Sequence, residues 1–227
     1  MTSSHPYDGE FYARHAQEVL RSARSVVPWI IEFVGLPASV VDVGCGTGEW
    51  LAAFQQFGVS DILGIDGPWV PVELMHIPPT CFAAHDLGTP LSPGRTFELA
   101  ISLETAEHLP PDHAALFVES LVRLAPLVVF SSAVPFQPGV DHKNLQWPAY
   151  WATMFGRHGF VAIDCIRPRI WETPGIPYWY KQNMILYADS HHLDSHEWLQ
   201  CLHARHGGYP LPIIHPDIYM HLASRAT

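Results

Sequence analysis

The chain has 227 residues, 48% of them hydrophobic and 15% charged. That suits one globular domain with a full-sized core and excludes a disordered, collagen-like or coiled-coil chain. Acidic residues outnumber basic ones 22 to 12, a net charge of −10, and the only lysines are Lys143 and Lys181, so neither nucleic acid nor an anionic membrane is an expected partner.

Residues 11–34 carry Phe11, Ala16, Val19, Leu20 and Ala23 at helical spacing, and Pro28 is expected to divide the stretch into two helices. SVVDVG at 39–44 reads as a buried strand, and TGEWLAAFQQFG at 47–58 as a helix stopped by Gly58. Strands are predicted at 61–66, 81–87 and 97–103, then an amphipathic helix at 111–125 and a strand at 127–133. A helix at 147–159 precedes strands at 160–166 and 183–188. The proline-broken segment 167–182 reads as an irregular aromatic loop that either covers a site or pins its rings into the core. HHLDSHEWLQCLHARHGG at 191–208 reads as one polar helix, followed by an irregular tail. Strands alternating with helices predict an α/β fold with a mostly parallel sheet.

Cys45, Cys81, Cys165 and Cys201 form no CxxC pair, so neither a zinc knuckle nor a disulfide framework is indicated. The first residues, MTSSHPYDGEFYARH, lack a charged start followed by an apolar stretch. No apolar run reaches the ~20 residues of a membrane span. A cytoplasmic protein is expected.

Val40, Val41 and Val43 lead into a turn built on Gly44, Gly46 and Gly48, and a helix begins at once. Such a loop lets a ligand approach backbone N–H groups at a helix N-terminus. It reads GxGxG, unlike the GxGxxG of dinucleotide-binding loops. Asp42 sits in the first strand, Asp66 ends the second and Asp86 the third. The carboxyl ends of parallel strands share one crevice, where a carboxylate like Asp66 can hold ribose hydroxyls.

VVDVGCGTGEW resembles motif I of the class I S-adenosylmethionine (SAM) dependent methyltransferases. GIDG, HDL and FELAISLETAEHL resemble their second, third and fourth motifs. The resemblance runs over residues 38–190. It implies a Rossmann-like, seven-stranded, mostly parallel sheet with helices on both faces and an antiparallel last strand. It also implies that Gly44, Gly46 and Gly48 line the methionine part of SAM, with Asp42 near its amino group. Asp66 would bind the ribose, Asp86 the adenine amino group, and Leu87 would pack on the ring. Residues 1–37 would form a helical lid, with Tyr12 and Arg14 closing over the cofactor. Residues 167–182 would form a substrate loop, and 190–227 a C-terminal helix and tail.

After the fourth strand stand Glu104, Glu107 and His108, which share a face if the segment is helical. His142 follows the fifth strand and can complete the set. Two carboxylates and two imidazoles suit Mg²⁺, or Mn²⁺ or Fe²⁺ where nitrogen matters more. The pattern is similar to two metal-dependent groups, the ubiquinone-biosynthesis O-methyltransferases and the small-RNA 3′-terminal 2′-O-methyltransferases. That likeness implies Glu104, Glu107, His108 and His142 as ligands and Glu107, His108 and His142 as catalytic residues. A metal-free enzyme would use His108 or His142 as a base. His113 can approach the cluster, and His85 is expected in the adenine pocket wall. His192 and His196 have the spacing of a zinc pair without a third ligand, so a solvated helix is the expectation there. Trp147, Tyr150, Trp151 and Phe155 read as core, and Trp171, Tyr178, Trp179 and Tyr180 as pocket candidates.

The expected function is O-methylation of a small hydroxylated acceptor, such as a sugar diol, a catechol or a specialised metabolite, by a chain that can pair as a homodimer. RNA 2′-O-methylation would need a basic groove, and N-methylation would need no metal. A SAM-binding partner subunit is the non-enzyme alternative.

Overall fold

Apolar residues on successive strands alternate between two sides, and that alternation fixes the layering. The computed structural model describes residues 9–225. Its strands are β1 (Ser39–Val43), β2 (Asp61–Asp66), β3 (Phe82–Ala84), β4 (Leu99–Leu103), β5 (Leu127–Ser131), β6 (Phe160–Ile163) and β7 (Ile185–Asp189). They form one sheet in the order β3-β2-β1-β4-β5-β7-β6. All neighbours pair in parallel except β7, which runs antiparallel to β5 and β6. Val40, Leu99, Ile101 and Val129 belong to one buried cluster, and Val41, Val43, Ala100 and Val128 to the other. Strands buried on both faces read as near-continuous apolar runs, as β4 and β5 do.

The first cluster is capped by α1 (Gly9–Val34) and α2 (Glu49–Gln56), the second by α3 (Ala114–Leu124) and α4 (Pro148–Gly156). Trp151 and Phe155 of α4 are buried, and Phe155 stacks on Tyr187 at 4.0 Å. Trp147, expected in the core, is 39% exposed because it precedes the helix.

Other expectations fail for identifiable reasons. Pro28 does not divide the first helix, which runs unbroken from Gly9 to Val34. An interior proline costs about 3 kcal/mol, but Ala23, Val26, Val27 and Ile30 are fully buried around it. Burying each larger side chain is worth about 1.5–3 kcal/mol, so packing outweighs the lost hydrogen bond. Segment 167–182 is not irregular throughout, because α5 (Ile166–Ile170) and α6 (Tyr178–Asn183) cover both its ends. They are tied down by Arg167, which is fully buried and bonds Asp164 and the carbonyls of Gln182 and Leu211. The C-terminal helix is two helices, α7 (Ser190–Asp194) and α8 (Glu197–His206), and the tail contains α9 (Pro216–Ala223). The third strand stops at Ala84, leaving Asp86 in the loop beyond it. Among the described residues no helix is long and apolar enough to cross a membrane.

Candidate functional site

The carboxyl ends of β1, β2 and β4 open onto a cavity of about 440 Å³. Its floor is the turn after β1. Gly44 (φ 85°) and Gly46 (φ 52°) take left-handed backbone angles there. A Cβ on Gly44 would stand 2.2 Å from Thr105 Oγ1, so the close approach of the turn to the end of β4 requires glycine. Asp66 braces the turn: its Oδ2 accepts from Gly46 N at 2.7 Å and its Oδ1 from Gly67 N at 2.6 Å.

Gly44, Gly46, Asp66, Asp86 and Leu87 line this cavity. Asp42 and Gly48 do not. Asp42 lies inside β1, 2% exposed, between its strand neighbours Gly64 and Ile101. Gly48 closes the turn against Ile77 and caps α2. His113 also lines the cavity, against Gly88, and its buried Nδ1 has no hydrogen-bond partner. His85, expected in that wall, bonds Thr89 instead. From α1, Tyr12, His15, Ala16 and Val19 close one side. The side chain of Arg14 lies outside the described residues. Of the aromatic candidates in 167–182, Tyr180 reaches the cavity.

At the end of β4, Glu104 takes a left-handed angle (φ 53°) and a short turn of 3-10 helix, Ala106–His108, follows. The segment therefore turns as 3-10 helix and not as α-helix. One ligand atom from each of Glu107, His108 and His142 lies within 4.8 Å of the others. The imidazoles of His108 and His142 face each other at 5.1 Å. Glu104 stands beside this group in an amide cradle, accepting from Gln137 Nε2 at 2.7 Å and Asn183 Nδ2 at 3.1 Å. The loop carrying His142 is strapped to the cluster, because Lys143 N and Asn144 N both donate to the Glu107 carbonyl. The tilted rings of His192 and His196 lie 4.2 Å apart across the break between α7 and α8.

A family model described as a methyltransferase domain matches residues 12–164. The chain belongs to that family. Membership makes it a SAM-dependent methyltransferase, and its strand order with antiparallel β7 is that of class I. No curated protein sequence matches it. Solved structures share the fold at low identity. The magnesium protoporphyrin IX methyltransferase of Synechocystis PCC 6803, with bound S-adenosylhomocysteine (SAH), is 18% identical with TM-score 0.55, over 82% of this chain and 90% of that one. The SAM-bound amino pentose methyltransferase of Micromonospora echinaspora, involved in calicheamicin biosynthesis, is 13% identical with TM-score 0.61, over 83% of this chain and 100% of that one. An O-methyltransferase family protein from Burkholderia thailandensis is 12% identical with TM-score 0.56, over 81% of this chain and 60% of that one.

Buried carboxylates stand in the methyltransferase's cavity and in the cluster beside it. Burial, eased by the Gly46 and Gly67 amides, pushes Asp66 up to about 6. Burial and then the neighbouring Glu104 push Glu107 well above the usual carboxylate range. Burial also raises Glu104, against its hydrogen bonds to Asn183 and Gln137. The imidazoles move the other way. Burial, followed by His142, lowers His108 to about 4, and burial lowers His142. Sequence reasoning missed Gln137 and Asn183, which meet Glu104 from far along the chain. It also missed Glu49, although GTGEW displayed it beside the glycine turn.

Proposed function

We propose that this methyltransferase transfers the methyl group of SAM to a hydroxyl of a small molecule, with a divalent cation at the carboxylate–imidazole cluster. In this reading Gly44, Gly46, Asp66, Asp86 and Leu87 hold the donor, and Asp42 and Gly48 support the turn from behind. Glu107, His108 and His142 would hold the ion, with Glu104 at its edge. The donor set fits a cation. Two neighbouring buried carboxylates and two imidazoles held neutral are what a positive ion relieves. Two nitrogens in the set favour Mn²⁺ or Fe²⁺ over Mg²⁺. When bound, such an ion lowers the pKa of a coordinated hydroxyl and orients it.

The transfer is a displacement at carbon. The acceptor hydroxyl gives up its proton to solvent, its oxygen bonds to the methyl, the carbon–sulfur bond breaks, and that bond's electron pair stays on sulfur as SAH forms. The chain's task is to align oxygen, methyl and sulfur on one line. The glycine turn fixes the donor side, and the segment Glu104–His108 fixes the acceptor side through Thr105, which touches Gly44.

The observation that supports the metal reading over a histidine base is the convergence of Glu107, His108 and His142, with ligand atoms within 4.8 Å of one another. The His108 imidazole, lowered by burial, is a weak base but an available ligand. N-methylation is the second reading, favoured by the likeness to an amino pentose methyltransferase. An amine needs no metal to be nucleophilic. The net charge of −10 supports a small acceptor over a polymer of phosphates.

Methyl transfer from labelled SAM to catechol and to a simple amino sugar, each with Mn²⁺ and with EDTA, tests the proposal. It predicts transfer to catechol that EDTA abolishes and Mn²⁺ restores. Transfer to the amine alone, indifferent to EDTA, would replace it with N-methylation.

A further inference from the structure

A buried carboxylate at the donor end of the cavity has no role in the reading above. Glu49 opens α2 immediately after the glycine turn and is 5% exposed, yet it lines the same cavity as Gly44, Gly46 and Tyr180. Its Oε1 accepts from Thr47 Oγ1 at 2.5 Å and lies 3.8 Å from His76 Nε2. His76 belongs to a neighbouring hollow and does not line the main cavity. Burial raises the Glu49 pKa, with Thr47, its own backbone amide and then His76 acting against it only in part. A carboxylate so enclosed is costly unless a cation reaches it.

We propose that Glu49, not Asp42, receives the α-ammonium group of the donor's methionine moiety. The assignment rests on the SAM reading of the cavity. SAM and SAH both carry a primary ammonium at the end of the amino-acid arm. The glycine turn would lie along that arm, and Glu49 is the acidic side chain that continues the turn into the cavity wall. Asp42, the residue that strand position alone would select, is sealed within β1 and has no surface on the cavity. Asp66 ends β2 with each oxygen already accepting one backbone amide, and in the reading above its remaining lone pairs go to the ribose. Asp86 stands at the far end, beside Gly88 and His113. Glu104 is held by Gln137 and Asn183. Asp141, another carboxylate on the wall, is paired with Lys143 at 2.9 Å, which leaves Glu49 as the carboxylate next to the turn for a positive group to meet.

Titration calorimetry with two ligands tests this. One is SAH; the other is S-(5′-adenosyl)-4-thiobutyrate, which is SAH without its amino group. The wild-type protein should prefer SAH by about tenfold or more, the worth of one charge-assisted hydrogen bond. Glu49→Gln should weaken SAH by that factor, leave the deaminated ligand within about twofold, and so erase the preference. Asp42→Asn should keep it. Equal weakening of both ligands in Glu49→Gln would mean that Glu49 only shapes the turn, and would overturn the assignment. So would a wild-type protein that binds both ligands equally, a result that needs no variant to fold. A wild-type protein that binds neither overturns the SAM reading itself, and this assignment with it.

Discussion

Gly44→Ala is the perturbation whose cost follows most directly from the geometry. Two penalties add. The backbone at this position has φ 85°, which costs a residue with a Cβ about 1–2 kcal/mol. The new Cβ would also stand 2.2 Å from Thr105 Oγ1, 2.3 Å from its Cγ2 and 2.8 Å from its Cβ, so Thr105 must move. Overpacking of this kind costs about 1–3 kcal/mol. Together they predict a loss of about 2–5 kcal/mol, or roughly 4–20 °C in Tm for a chain of this size. Thermal melting of Gly44→Ala, Thr105→Ala and the double variant separates the terms. Thr105→Ala removes the two nearest atoms and leaves the backbone angle alone, so the cycle should return a favourable coupling of about 1–3 kcal/mol. A Gly44→Ala protein melting within about 1 °C of wild type, or a cycle with no coupling, would refute the contact between the glycine turn and the end of β4.

Gly46→Ala should behave differently, because its Cβ would face the cavity at 3.3 Å from the Tyr12 ring. Stability should fall by only about 1–2 kcal/mol, while SAH binding measured by calorimetry weakens about tenfold or more. Gly139→Ala would set a Cβ 2.1 Å from His142 Nε2, on an exposed loop. Mn²⁺ affinity should drop about 10–100-fold with Tm little changed, as dialysis and melting would record. For Asp66 the folded pKa of about 6 lies above its ordinary 3.8, so the fold favours the protonated form. The charged form then costs stability as pH rises from about 4 to 6, by up to about 3 kcal/mol. Denaturant unfolding should show the ligand-free wild type gaining on Asp66→Asn as pH falls across that window. No gain would mean that the two backbone amides already offset the burial.

What was legible in the sequence was local. Val40, Val41 and Val43 followed by three spaced glycines specify a strand and a turn within a few residues, and Asp61–Asp66 needs only its own apolar run. Pro28 misled because its local penalty competes with burial of Val26, Val27 and Ile30, which no window around the proline reveals. The helices at the ends of 167–182 depend on Arg167 reaching Asp164, Gln182 and Leu211, a network assembled only by folding. The same holds at the cluster. Glu104, Glu107 and His108 advertised themselves as a motif, and His142 by its position after a strand. The amide cradle of Gln137 and Asn183 has no spacing to betray it, since Asn183 lies 79 positions from Glu104. The left-handed angle at Glu104 was equally hidden. Asp42 shows the converse: a residue at a motif position can be sealed into a strand while its neighbour Glu49 takes the cavity wall.

The central claim is that Glu107, His108 and His142 form a cation site beside the donor cavity. Metal content of untagged protein, dialysed against Mn²⁺ and compared with Glu107→Gln and His142→Ala, tests it most directly. The wild type should hold one equivalent of bound ion and both variants should lose it, while SAH binding persists. A wild-type protein that retains no ion, or variants that keep it, would contradict the claim.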